Sequence, residues 1–130
     1  MIEDTSFVID VLSGDDAALE LLSTAETERR PEKVSSVTLL ELYEGIEQST
    51  RPGEEQEQVF EVLDSKTVID ADASIMRRAG EISGTLTAGG EPIDREDCIV
   101  AATALQEDEP VVTRNIDHFE RVPGVGVREY

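Results

Sequence analysis

Apolar residues along this chain alternate between two habits: short β-branched runs, and longer stretches where they recur at three- and four-residue spacing. Met1-Ile2-Glu3 leads to a very short first strand ending at Asp4. Phe7, Val8, Ile9, Val11 and Leu12 then predict a helix from about Ser6 to Leu12, with Ser6 as N-cap and Ser13-Gly14-Asp15-Asp16 as its break. Asp16 to Arg30 sets Ala17, Leu19, Leu21, Leu22 and Ala25 among acids, an amphipathic helix capped by Asp15 or Asp16 and closed by Pro31. Lys33 to Val37 reads as a second strand. Thr38 to Ile46 reads as a helix with Leu39, Leu42, Tyr43 and Ile46 as its stripe, ending before Arg51-Pro52-Gly53.

Glu54 to Leu63 predicts a short acidic helix and Lys66 to Ile69 a third strand. Asp70 or Asp72 caps the next helix, Ala73 to about Leu86, whose buried stripe is Ile75, Met76, Ala79 and Ile82. Gly89-Gly90-Glu91-Pro92 ends it. Asp94 then precedes a helix from Arg95 to Leu105 as a natural N-cap. Ile99, Val100, Ala102, Ala104 and Leu105 are too small and apolar for an exposed helix and predict one packed on a sheet. Val111-Val112-Thr113 reads as a buried strand and Gly124 to Val127 as a last one. Strands alternating with helices imply an α/β fold, a three-layer α/β/α arrangement with a short central parallel sheet covered on both faces. The length suits a single domain over residues 1–130, with no linker or repeat.

Composition changes this picture mainly through charge. There are 30 Asp and Glu against 11 Lys and Arg, a net charge of −19, and Lys33 and Lys66 are the only lysines. The acid is dispersed, as on the solvated surface of a protein from a high-salt cytoplasm where repulsion is screened. It argues against nucleic acid as a partner, since phosphate binding wants a basic footprint, unless divalent cations invert the local field. No apolar run approaches membrane-spanning length and the start is not basic, so a cytoplasmic location without membrane attachment is expected. The single cysteine, Cys98, sits in the apolar helix and reads as a small buried hydrophobe.

One histidine, one cysteine and no G-x-S-x-G leave little for a nucleophilic triad or a zinc site, and no phosphate-cradling glycine motif appears. Oxygen chemistry remains. Asp4 ends a strand, Thr113 to Asp117 follow another, and Asp97 falls in the first turn of the buried helix. In a parallel α/β sheet these places meet along one edge. Carboxylates gathered there repel one another unless a cation sits between them, and hard oxygen ligands select Mg²⁺ or Mn²⁺. The plainer readings stay open: Asp4 as turn chemistry, Asp94 and Asp97 as caps, Glu41 as a solvated helix residue, Ser6, Thr113 and Arg114 as cap, strand end and surface cation. Asp10, Asp15 and Asp16 read as surface.

Four ordered segments carry a resemblance: Asp4-Thr5-Ser6-Phe7-Val8-Ile9-Asp10, Leu40-Glu41-Leu42-Tyr43-Glu44-Gly45, Asp97 to Ala104, and Thr113-Arg114-Asn115-Ile116-Asp117-His118-Phe119. Together they resemble the PIN-domain ribonucleases, with the VapC toxins of VapBC toxin-antitoxin modules as the nearest branch. The resemblance implies a metal-dependent endoribonuclease, with the family's acids falling on Asp4, Glu41 and Asp97. At the fourth position the family often has aspartate and this chain has Asn115, with Asp117 two residues later to supply charge. It further implies Mg²⁺ or Mn²⁺ held by Asp4, Asp97, Asn115 and Asp117. Glu41 would ligate a second ion or act as base, and Ser6, Thr113 and Arg114 would contact phosphate. The implied partners are an RNA substrate, a cognate antitoxin and a second copy in a homodimer. Two other readings compete: a non-catalytic PIN-like module binding RNA or protein, and a phosphotransfer receiver-like domain, which wants a later lysine for which the chain offers no convincing candidate.

Overall fold

The computed structural model describes residues 1–130. In chain order the elements are β1 (Ile2–Glu3), α1 (Thr5–Leu12), α2 (Asp16–Thr27), β2 (Lys33–Ser35), α3 (Ser36–Glu47), α4 (Pro52–Asp64), β3 (Thr67–Ile69), α5 (Ala73–Ala88), α6 (Arg95–Glu107), β4 (Val111–Val112), α7 (Ile116–Glu120) and β5 (Val127–Arg128). The five strands form one sheet in the order β3-β2-β1-β4-β5, every pairing parallel, with Ile2 opposite Val111 and Glu3 opposite Val112. The chain therefore lays β2 and β3 on one side of β1 and returns to place β4 and β5 on the other. Between β1 and β4 the winding reverses, and in open α/β sheets the crevice beyond the strand ends at such a point receives ligands.

Period-two alternation sorts the strand residues between the two helical layers. Met1, Val112 and Val34 face α1, α2, α3 and α4, where Phe7, Val8, Val11, Leu21, Leu42 and Val59 bury against them. Ile2 and Val111 face α6 and α7, packing on Val100, Ala101, Ala104 and Phe119. α6 buries Cys98 and every residue from Val100 to Ala104. Small side chains let one helix lie close to the sheet on one side and to α5 on the other; Ile75 and Ala79 pack there on Cys98 and Ala102. Cys98 is thus the small buried hydrophobe expected.

Several boundaries move, each for a local reason. The first helix is capped by Asp4, not Ser6, because the Asp4 side chain accepts from the Phe7 N–H. β2 stops at Ser35 and not at Val37, because the Ser35 hydroxyl accepts from the Val37 N–H and turns the chain into α3. Asp15 and Asp72 are the caps of α2 and α5. Asp94 has the extended N-cap backbone of α6 but makes no side-chain capping bond, so its expected capping role is corrected. Met76, expected in a buried stripe, is 47 % exposed; Ile75, Ala79 and Leu86 are the residues α5 buries. The last strand falls at Val127–Arg128, just beyond the glycines.

Both lysines are committed to glutamates. Lys66, 2 % exposed at its side chain, lies 2.8 Å from Glu3 Oε1 and 2.8 Å from Glu32 Oε1. Lys33 bridges Glu107 and Glu109 at 3.1 and 3.0 Å. Burial pushes the Glu3 carboxyl up from 4.5 to about 7, against the pull of Lys66. A carboxyl raised on folding favours the folded state below its unfolded value, and that contribution is withdrawn as pH rises through the folded one. Lys66→Met should cost about 3–5 kcal/mol by leaving Glu3 unpaired. Urea midpoints of this variant should fall more steeply than those of the parent between about pH 4.5 and pH 7, the window bounded by the two Glu3 values. Parallel profiles would show that Glu3 does not depend on Lys66.

Candidate active site

The loop after β1 and the loop after β4 are stitched together by hydroxyls on one carboxylate. Asp4 is 2 % exposed. Its Oδ1 accepts from the Ser6 hydroxyl at 2.7 Å and from the Phe7 N–H at 3.0 Å, and its Oδ2 accepts from the Thr113 hydroxyl. Thr113 Oγ1 in turn accepts from the Asn115 N–H at 2.8 Å, and Ser6 Oγ accepts from the Arg114 N–H at 3.2 Å. Thr113 is buried just past β4, so its hydroxyl serves both the carboxylate and the turn into α7.

Glu41 comes from α3, which Ser35 starts at the end of β2. Its Oε1 accepts from the Thr5 hydroxyl at 2.7 Å, while the Thr38 hydroxyl lies 3.2 Å from Thr5 Oγ1. Asp97 stands in the first turn of α6, where the helix dipole favours negative charge. His118 donates from Nδ1 to Asp97 Oδ2 at 2.7 Å. Asp94, Asp97 and His118 each place one donor atom within 4.8 Å of the others.

Electrostatics ties the strand-end, α3 and α6 carboxylates into one cluster. Burial raises Asp4 above the usual range, opposed by its three hydrogen bonds, and the charge of Asp97 raises it further. Burial likewise raises Glu41, opposed by Thr5, with Glu96, Asp97 and Asp4 adding to it. Asp97 is raised by burial, opposed by His118, with Asp94 and Glu96 adding. Each therefore feels neighbouring carboxylates, and no lysine or arginine side chain pairs with any of the three. Hard oxygen donors held together against repulsion fit a divalent cation such as Mg²⁺ or Mn²⁺.

The residues expected after β4 are placed less uniformly. Arg114 is exposed, and its Nη1 lies 2.7 Å from Asp10 Oδ1. Asn115 occupies the N-cap position of α7 without a side-chain capping bond and is exposed. Asp117 is exposed in the first turn of α7. Asp10, expected on the surface, is instead 8 % exposed. His118 is a contact of the site that the sequence does not single out. As the only histidine, three residues beyond Asn115 on a short helix, it carries one signal, a ring long enough to reach a carboxylate on a neighbouring element.

Residues 1–125 match the PIN domain family. The chain belongs to it. PIN-domain relatives are close along most of the length. Ribonuclease VapC2 of Haemophilus influenzae is 33% identical over 119 residues, 92% of this chain and 89% of that protein. The tRNA(fMet)-specific endonuclease VapC of Salmonella typhimurium is 32% identical over 97 residues, 75% of this chain and 74% of that protein. The crystal structure of DNA-bound VapBC from Salmonella typhimurium superposes with a TM-score of 0.88 at 26% identity, covering 98% of this chain and 96% of that one. This PIN fold is the α/β/α architecture read from the alternation of strands and helices.

The cost of gathering carboxylates is itself measurable. Glu41 titrates above its ordinary value, so its ionisation takes stability from the folded state as pH rises. In metal-free buffer, Glu41→Gln keeps an acceptor for Thr5 and should melt above the parent at about pH 7, the gap closing toward about pH 4 where both side chains are neutral. Calorimetric melting across that range checks it; a variant less stable at neutral pH would show that Glu41 is not strained by its neighbours.

Proposed function

We propose that this chain is a metal-dependent endoribonuclease, the toxin of a type II toxin-antitoxin pair, with a cognate antitoxin as its partner. The observation that carries the reading is the carboxylate cluster of Asp4, Glu41 and Asp97 at the winding reversal of a PIN fold. Support for the chemistry comes from relatives named ribonuclease and tRNA-specific endonuclease over most of their length. No helix is long and apolar enough to cross a membrane.

Asp4, Asp97 and the exposed pair Asn115 and Asp117 are the residues that would hold Mg²⁺ or Mn²⁺, with Asp94 and His118 within reach of Asp97. Bound there, the ion supplies Lewis-acid polarisation of the scissile phosphate and offsets the like charge of the site. The protein's own groups then divide the remaining tasks. Glu41, raised by burial and by its neighbours, is suited to take a proton from the attacking water, since a base works best when its pKa approaches the working pH. Ser6 and Thr113 hold the Asp4 carboxylate from both of its oxygens, so that it cannot rotate. His118 fixes Asp97 in the same way, as carboxylate and imidazole do around many metal sites. Arg114 offers a guanidinium to the RNA backbone.

Purified protein incubated with bulk tRNA and Mg²⁺ or Mn²⁺ at high salt tests the proposal, beside Asp4→Asn and Asp97→Asn. Cleavage should be lost in both variants and on chelation, and calorimetric Mn²⁺ titration should saturate in the parent but not in Asp97→Asn. His118→Ala should retain the site but weaken metal affinity or activity by about 10–100-fold. Equal cleavage by parent and variants, or no cleavage by either, would replace this reading with a non-catalytic binding module.

A further inference from the structure

Asp10 has no place in the cleft chemistry above, yet both of its oxygens are committed. It lies on α1, six residues after Asp4, and is 8 % exposed. Oδ1 accepts from Arg114 Nη1 at 2.7 Å, and Oδ2 accepts from the Tyr130 hydroxyl. The Tyr130 ring stands edge-on to Phe7, with centroids 5.1 Å apart and planes at 77°, and Phe7 is fully buried in the core below α1. The carboxylate is thus gripped from one side by a ring anchored in the core. Its other side faces a guanidinium whose side chain is 61 % exposed.

That pairing is a weak stabilising device. An ion pair to a largely exposed arginine contributes little, while drawing a carboxylate out of water costs free energy. Its effect is geometric. Arg114 follows Thr113, whose hydroxyl holds Asp4, and its own N–H is tied to Ser6. Nη1 to Asp10 uses one of five guanidinium N–H groups, so a planar fork of donors is left open to solvent at the cleft edge. In a chain of net charge −19, an untethered guanidinium next to the Asp4 loop would be drawn onto the cleft carboxylates and compete with any cation there. A dedicated counter-charge on the α1 side keeps it out of the cluster.

We infer that Asp10, braced by Tyr130, is a positioning residue that holds Arg114 at the cleft rim, where the guanidinium takes an RNA phosphate beside the one being cut. This rests on the ribonuclease reading and adds to it a counter-ion for the substrate contact. Asp10 touches neither metal nor RNA. It sets the orientation of the one residue that brings positive charge to the strand-end loop.

The test measures cleavage of bulk tRNA as a function of salt for the full chain and for Arg114→Ala, Asp10→Ala, Asp10→Asn and the double variant Asp10→Ala/Arg114→Ala. Each phosphate contact contributes about 0.7–0.9 to the slope of log affinity against log salt. Arg114→Ala should lower the slope of log kcat/KM by about that amount, chiefly through KM. Asp10→Ala should reproduce most of that loss, and the double variant should add nothing to Arg114→Ala. Asp10→Asn, which keeps an acceptor for the guanidinium but not the charge, should fall between parent and Asp10→Ala, and it carries the test should Asp10→Ala fail to fold. A parent that neither binds nor cleaves tRNA would overturn the ribonuclease reading itself. A normal slope in Arg114→Ala would overturn the phosphate contact while leaving the nuclease intact. Loss in Arg114→Ala with parental slopes in both Asp10 variants, or losses that add in the double variant, would overturn the positioning role alone.

Discussion

The buried carboxylate of Asp4 is the constraint on which the rest of the structure depends. It is at once the first residue past the central strand, the cap of the first helix and the acceptor for a hydroxyl arriving from beyond β4. A carboxylate this enclosed is tolerable only if its lone pairs are filled, and here they are filled by groups from both sides of the winding reversal. The same bonds that satisfy Asp4 therefore set the spacing between the β1 and β4 loops. They fix where Asn115 and His118 begin, and through His118 they reach Asp97 on α6.

From that anchor the electrostatics of the site follow. Asp97 and Glu41 arrive on separate helices, each started by its own local device: an extended residue at Asp94 for α6 and a serine cap at Ser35 for α3. Neither device depends on the carboxylate it delivers, so the fold can hold like charges together without using them for its own stability. The surface follows the opposite rule. Acid there is diluted in solvent, while Lys66 is buried against Glu3 and Glu32 and Lys33 is half-buried between Glu107 and Glu109.

What could be read from the residues in order was whatever is encoded locally. The small apolar face of α6, the β-branched runs of the strands and the acids at strand ends carry their own period, and alternation alone implied a covered parallel sheet. The missed features are tertiary. Asp10 looks like any other acid on an amphipathic helix, and only the return of Arg114 and Tyr130 from the far end of the chain buries it. Asp94 has the sequence of a cap and the backbone of one, but its side chain faces Asp97 and His118. Met76 fits the helical stripe of α5 yet sits at its edge, because the small residues of α6 draw Ile75 and Ala79 inward in its place. The glycines before β5 suggested where a strand would start, but pairing with Val111 and Val112 decided it.

The strand order also sets a timetable. β1 precedes the other strands and lies at the centre of the sheet, but its partner β4 follows β2 and β3 in the chain, and the hydroxyl that completes Asp4 comes from a residue 109 positions later. Such non-local pairing is slow to form, and on a chain emerging from the ribosome it cannot form at all until β4 has left the exit tunnel. Until then Asp4 has no Thr113, Asp97 has no His118, and the cleft has one wall. The edge that gathers the carboxylates thus stays open until the second half of the sheet arrives, and closing it is a late, non-local step of folding.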